Sequence, residues 1–253
     1  ALHEGHLPLV REARRRADHV AVSIFVNPRQ FGPNEDLDAY PRRMAQDAAL
    51  LEAEGVALLW APTVDQVYPD GYATNVSVSG LDAVLCGAAR PGHFDGVATV
   101  VCKLFNQVRP DVALFGEKDW QQLAIIRRMA RDLDMTQPYA DAIIGVPTVR
   151  EDDGLAMSSR NQYLTRAERT QAAGLARAMR KAIAVIEGGA GVEGALAALR
   201  AEILASGFAS IDYADLRDAA TLEDVAALTG RPARLLVAAR IGKARLIDNM
   251  PVG

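Results

Sequence analysis

The chain predicts an α/β fold: a doubly wound parallel sheet followed by a smaller α+β domain. Short apolar runs alternate with amphipathic stretches through the first 150 residues, which is the rhythm of β–α–β units with short links. From Thr165 the rhythm changes to two helical segments and then strand-like runs. The third observation is bulk. The 253 residues, 50% hydrophobic and 24% charged, are enough to bury a large core.

In chain order, Leu7, Val10 and Ala13–Arg14 mark one helix face, with Pro8 tolerated in the first turn. Val20–Val26 (VAVSIFV) is a continuous β-rich run suited to a strand buried on both faces. Asn27-Pro28 makes a turn, and a helix follows through Met44, Ala48 and Leu51 to Gly55. Val56–Trp60 is the next strand. A looser Gly-rich stretch spans Pro69–Gly96. A helix over Val97–Val108, a strand over Val112–Phe115 and a helix from Lys118 to about Leu133 come next, and the run Ala142–Val149 closes the series. The helices Thr165–Glu187 and Val192–Ser206 are separated by a Gly-rich break. Ile211–Leu216, Leu235–Ala239 and Ala244–Ile247 are strand-like. The domain division expected is 1–144 and 145–253.

Net charge is −4 and the pI near 5.6, so no global field draws the chain to nucleic acid. Arg14–Arg16 reads as a solvated helix end. No apolar run reaches the ~20 residues that span a bilayer. Cys86 and Cys102 have no metal spacing and read as reduced thiols of a cytoplasmic protein.

Four clusters carry chemistry, all at expected strand ends or helix starts, where ligands bind in open parallel sheets. His3-Glu4-Gly5-His6 enters a helix whose N-terminal amides and dipole favour phosphate, and the imidazoles add donors. A metal site there lacks a third His or Cys, and surface histidines are the bland alternative. Asn27-Pro28-Arg29-Gln30-Phe31 offers Gln30 to a carboxylate or hydroxyl; simple turn chemistry explains it equally. Gly116-Glu117-Lys118-Asp119, with Gln121 and Gln122 behind it, offers a cation beside a helix that Asp119 could cap. Met157-Ser158-Ser159-Arg160 follows Asp152-Asp153-Gly154; two hydroxyls and an Arg can hold phosphate oxygens, or form a plain solvent loop.

Together the histidine pair and the Ser-Ser-Arg loop resemble the two signatures of class I adenylyl-transferring Rossmann-like enzymes. Within them the chain resembles the pantothenate synthetase (pantoate–β-alanine ligase) family, through ALHEGH, SIFVNPRQF, EDLDAYPR, RPGHFDGV, FGEKDWQQL, DGLAMSSRNQYL and LLVAARIGKARLIDN. The resemblance implies an ATP site made of Ala1, Leu2, His3, Glu4, Gly5, His6, Gly116, Glu117, Lys118, Asp119, Val149, Met157, Ser158, Ser159 and Arg160. It places His6, His3 and Lys118 in catalysis, and Gln30, Gln122, Tyr40 and Arg90 in the pantoate and β-alanine pocket. It further implies Mg²⁺ held mainly by ATP phosphates, a homodimer, and a C-terminal domain that closes over the site. Family members carry a strand ending in Pro-Thr-Met-Gly before the first residues present here, so a further N-terminal strand supplying a Met–Gly pair to the pocket is expected.

Two rivals stand beside this expectation. One is a nucleotidyltransferase acting on a phosphorylated acceptor, against which the two glutamines speak, because such an acceptor calls for Arg or Lys. The other is a nucleotide-binding module without catalysis. Pantoate-dependent exchange of pyrophosphate into ATP separates all three.

Overall fold

The computed structural model describes residues 2–32, 37 and 42–253, arranged as two units. The first comprises Ala1–Glu117 and Gln121–Pro147; the second comprises Lys118–Trp120 and Thr148–Gly253.

In the first unit two parallel strand pairs form, β1 (Ala21–Ser23) with β2 (Leu58–Trp60), and β3 (Ala113–Gly116) with β4 (Ile143–Val146). Helix α1 (Leu7–Arg16) packs on β3 and β4, burying Leu7 and Val10. Helix α2 (Met44–Ala53) ends before Gly55, whose φ of +76° no L side chain adopts easily. A four-residue helix, α3 (Val64–Val67), is closed by a capping box between Thr63 and Gln66.

The Gly-rich stretch is more ordered than its composition implies. It holds α4 (Leu85–Ala89) and the first turn of α5 (His93–Val108), which therefore starts four residues before the expected Val97. Gly92 at φ +78° reverses the chain just ahead of it. Helix α6 (Trp120–Asp132) begins after a 3₁₀ turn, Glu117–Asp119, so Lys118 and Asp119 precede the α-helix rather than open it.

The expectation of a doubly buried strand over Val20–Val26 is corrected. Only Ala21–Ser23 is strand, and Ala21 and Ser23 are exposed. Among the described residues β1 is paired on one edge, by β2. An apolar run records what a strand is able to bury, while burial itself requires neighbours.

The second unit is a two-layer sandwich of helices on a sheet. Helix α7 (Arg166–Glu187) packs on α8 (Val192–Ala205), and both cover an antiparallel sheet ordered β5 (Ser210–Asp218), β6 (Ala233–Ile241), β7 (Ala244–Val252). The two-residue turn Gly242-Lys243 joins β6 to β7 and extends the third run well past Ile247. A Cβ on Gly242 would lie 2.0 Å from Glu168 Oε1, so the turn is tight against the start of α7. Leu235, Val237, Ala239 and Ile241 of β6 alternate onto the core beneath Met179, Leu199 and Ile203. Thr165 caps α7, and Glu168 Oε2 returns to the Thr165 amide at 2.7 Å.

These two features differ in weight. Leu199→Ala empties a position that is 1% exposed and should cost about 2–5 kcal/mol, whereas Thr165→Ala should cost about 1 kcal/mol. Urea midpoints of the two variants check this, and equal losses would mean the α7–α8 core is less tightly packed than its burial indicates.

Candidate active site

In the first unit the two histidines form a folded pair, with ring centroids 4.0 Å apart at the start of α1. Their tautomers follow from the backbone. The His3 amide donates to His6 Nδ1 at 3.2 Å, and the Gly5 amide donates to His3 Nδ1 at 3.1 Å. A ring nitrogen that accepts carries no proton, so in both rings the proton sits on Nε2. The pair thus carries two Nε2–H groups at the start of α1. The segment is tied down from α2, where the buried Asp47 accepts the Leu2 amide at 2.8 Å.

The second cluster centres on Asn27, which is 1% exposed. Its Oδ1 accepts from Tyr68 Oη at 2.9 Å and from the Arg29 amide at 3.3 Å. Its Nδ2 donates to the Gly96 carbonyl at 3.0 Å and to Gln30 Oε1 at 3.2 Å. Those partners assign both amides, so Gln30 keeps its two N–H donors for other partners. The Gln30 carbonyl accepts from Arg90 Nη2 at 3.1 Å and from His93 Nδ1 at 2.8 Å. Arg90 Nη1 also donates to His93 Nε2 at 3.0 Å, which places the His93 proton on Nδ1. Arg90 therefore grips the backbone of Gln30. Burial, ahead of all other influences, pushes the Tyr68 hydroxyl up to about 12, so it stays a donor to Asn27 at neutral pH.

Gly96 explains why α5 comes so close to this loop. A Cβ there would sit 2.5 Å from the Arg29 carbonyl oxygen and 2.8 Å from the Gln30 amide nitrogen. The adjacent glutamines separate cleanly. Gln121 is buried, accepting the Cys86 amide and donating to the Leu81 and Val84 carbonyls, each of these at 2.7 Å. Gln122 is half-buried, and its side chain hydrogen-bonds none of the described residues. Gly116 ends β3, and Glu117 follows it against Gly145 of β4.

In the second unit, Val149–Met157 folds back on itself. Met157 donates its amide to the Val149 carbonyl at 2.9 Å, Arg150 bridges to Ala156, and Gly154 at φ +92° makes the turn. Asp153 is held well below the usual carboxylate range, chiefly by its hydrogen bond from Arg169. The hairpin delivers Ser158, whose Oγ accepts the Arg160 amide at 3.2 Å and starts the 3₁₀ turn Ser159–Tyr163. Lys118 is half-buried, and its ammonium makes no ion pair among the described residues. Asp119 is exposed. Ala1 and Tyr40 lie outside the described residues. Cys86 and Cys102 are not joined in a disulfide.

Asn27, Asp47, Tyr68, His93, Gly96, Asp248 and Asn249 went unassigned from sequence. The strings RPGHFDGV and RLIDN contain four of them, and a polar pair inside an apolar strand was the available signal for the last two.

Residues 1–251 match the profile of the family described as Pantoate-beta-alanine ligase. A pantothenate synthetase of Novosphingobium aromaticivorans is 82% identical over 253 residues, covering 100% of this chain and 88% of that protein. One from Sphingopyxis alaskensis is 63% identical, covering 100% and 89%. A crystal structure of pantothenate synthetase from Thermus thermophilus matches with a TM-score of 0.92 at 49% identity, over 98% of this chain and 89% of that one. Another, of pantoate-beta-alanine ligase from Francisella tularensis complexed with beta-gamma ATP and beta-alanine, matches at 0.81 and 34%, over 98% and 85%.

The close approach at Gly96 is testable without any ligand. Gly96→Ala must push α5 from the 29–30 backbone, so it should destabilise the first unit by about 1–3 kcal/mol, in the range for overpacking. Amide hydrogen exchange across residues 27–31 should quicken with it. Unchanged exchange there would show that the contact is not needed to hold Gln30.

Proposed function

The chain belongs to the pantoate-beta-alanine ligase family, and from that premise we propose how its residues divide the reaction. It is an enzyme that uses ATP to join pantoate to β-alanine, giving pantothenate, AMP and pyrophosphate through a pantoyl-adenylate. The full-length family match carries this conclusion.

In the first step a pantoate carboxylate oxygen attacks the α-phosphorus of ATP and pyrophosphate leaves. The carboxylate is already ionised at neutral pH, so no general base is required. What is required is in-line placement and neutralisation of phosphate charge. Gln30 and Gln122 are the placing groups in our assignment. The N–H donors that Asn27 leaves to Gln30 suit oxygen acceptors on the acid, and Gln122 is uncommitted within the described protein while Gln121 is not. His3 and His6 supply Nε2–H donors to phosphate oxygens in this assignment. Lys118, Ser158, Ser159 and Arg160 supply positive charge and hydroxyls, and Ala1–His6, Gly116–Asp119, Val149 and Met157 complete the ATP contacts.

In the second step the β-alanine amine attacks the acyl carbon. The C–O bond to AMP breaks, and the nitrogen loses a proton as the amide forms. The mixed anhydride is water-sensitive, which favours a closing movement of the C-terminal domain during turnover. Tyr40 and Arg90 belong to this pocket in the proposal, Arg90 through the Gln30 backbone.

Among the described residues no group of three or more His, Cys, Asp or Glu could hold a metal ion. We assign Mg²⁺ to the ATP phosphates because it favours them over all-protein cages, and route no step through a protein-held metal. A homodimer in the cytoplasm completes the proposal. It rests on the family resemblance, and unbridged thiols suit a reducing compartment.

Lys118→Ala and His6→Ala should each lose at least ~2.7 kcal/mol of transition-state stabilisation, about a hundredfold in rate, with folding nearly untouched. Pantoate-dependent ATP–pyrophosphate exchange reads this out, and wild-type exchange in either variant removes that residue from catalysis. Gln30→Ala should weaken pantoate by ~1–3 kcal/mol and ATP far less, because an amide pairs with the acid's oxygens and brings no charge to phosphate. Calorimetry with each ligand decides it; equal losses would return Gln30 to a turn former.

A further inference from the structure

Two segments of the second unit that the proposal assigns to phosphate, Lys118 and the hairpin leading to Arg160, are both fastened to one dipeptide of β7. Asp248 and Asn249 are each 3% exposed, although successive residues of a strand face opposite sides of the sheet. Asp248 receives both terminal nitrogens of Arg150, Nη1 to Oδ2 at 2.7 Å and Nη2 to Oδ1 at 2.9 Å. Arg150 Nη1 also donates to the Gly154 carbonyl at 3.0 Å, so one guanidinium ties the turn of the hairpin to the strand.

On the other face Asn249 Nδ2 donates to the Lys118 carbonyl at 2.9 Å. Trp120 Nε1 donates to the Ala219 carbonyl at 2.8 Å, and the Arg234 guanidinium lies over the Trp120 ring at 3.5 Å from its centroid. In the register Leu236 opposes Asn249, which puts Arg234 on the same face two residues along. One bond to the Lys118 carbonyl and two contacts of the Trp120 side chain thus hold the Lys118–Trp120 segment. They leave the Lys118 ammonium without an ion pair among the described residues.

We propose that Asp248-Asn249, together with Trp120, is a positioning element for catalysis: it touches no substrate and sets Lys118 and the Ser158–Arg160 loop on one rigid strand. The inference rests on the phosphate roles given to Lys118 and Arg160. Stability alone gives a weak reason to bury this pair, because a well-packed apolar pair generally does as well as a buried ion pair. Direction is what the polar pair adds. A bidentate carboxylate–guanidinium contact and an amide–carbonyl bond each fix an orientation, and a missing ångström at a reacting centre costs rate more than it costs binding.

A double-mutant cycle tests the Lys118 half. Asn249→Ala should fold, exchange its 118–120 amides faster, and lose roughly ten- to hundredfold in the kcat of pantoate-dependent ATP–pyrophosphate exchange, with the pantoate KM within about twofold of wild type. Added to Lys118→Ala it should cause almost no further loss, since its effect runs through that lysine. Trp120→Phe keeps the ring under Arg234 and removes one donor. It should show the same pattern in smaller measure, and it serves if Asn249→Ala does not fold. Arg150→Lys tests the hairpin half, because it retains the charge but not the fork; a similar kcat loss at unchanged pantoate KM is expected. If Lys118→Ala itself keeps wild-type exchange, the phosphate role of the lysine fails and this proposal fails with it. If Lys118→Ala is inactive while Asn249→Ala and Trp120→Phe keep wild-type kcat, or multiply their losses onto it, only the positioning role falls. Wild-type kcat in Arg150→Lys would overturn the hairpin half alone.

Discussion

The first unit depends on one buried amide. Asn27 uses all four of its hydrogen-bonding positions, on Tyr68, the Arg29 amide, the Gly96 carbonyl and Gln30. A buried amide that missed one of these would cost more than the bond returns, so the surroundings are constrained to supply them all. Helix α5 must come close enough to present a carbonyl, which is possible only because residue 96 has no side chain. The loop after β1 must turn back within three residues. Gln30 is then oriented twice, through its side-chain oxygen by Asn27 and through its backbone by Arg90 and His93. An oriented donor loses little entropy when a ligand arrives, which suits the pantoate-placing role proposed for Gln30.

The second unit answers the same constraint with charge. Its sheet buries Asp248, Asn249 and Arg234 among aliphatic side chains, and each is matched to a partner of defined geometry. The apolar face of the sheet is shaped by non-directional packing against α7 and α8. The polar contacts are directional, and they fasten the segments to which the proposal gives phosphate chemistry. Packing and directional polar contacts therefore share the same three strands, with Asp248 on the core-facing side beside Leu246 and Met250 and Asn249 on the other.

The sequence showed local order well and distant partnership poorly. The capping box at Thr165 and Glu168, the apolar faces of α7 and α8, and the clusters at His3–His6 and Met157–Arg160 are all written within a few residues of chain. The early start of α5 was hidden because Pro69–Gly96 read as one loose Gly-rich stretch, although the lack of a Cβ at Gly96 is what the packing exploits. Asn27 read as a turn former; what makes it central is a carbonyl 69 residues away. Asn249 meets Lys118 across 131 residues. A polar residue's burial is decided by its partners, and no local window contains them.

The histidine pair has its tautomers set by the backbone around it. Each Nδ1 accepts a backbone N–H, which sets the tautomer with the ring N–H at Nε2. In the proposed assignment those N–H groups donate to phosphate oxygens as charge develops there. Fixed positive charge then falls to Lys118 and Arg160 in the proposed assignment. A lysine held by its backbone, with its ammonium uncommitted to any described residue, is free to take that part. In that assignment the donors at the start of α1 and the cations of the second unit answer one demand, that pyrophosphate be stabilised as it departs.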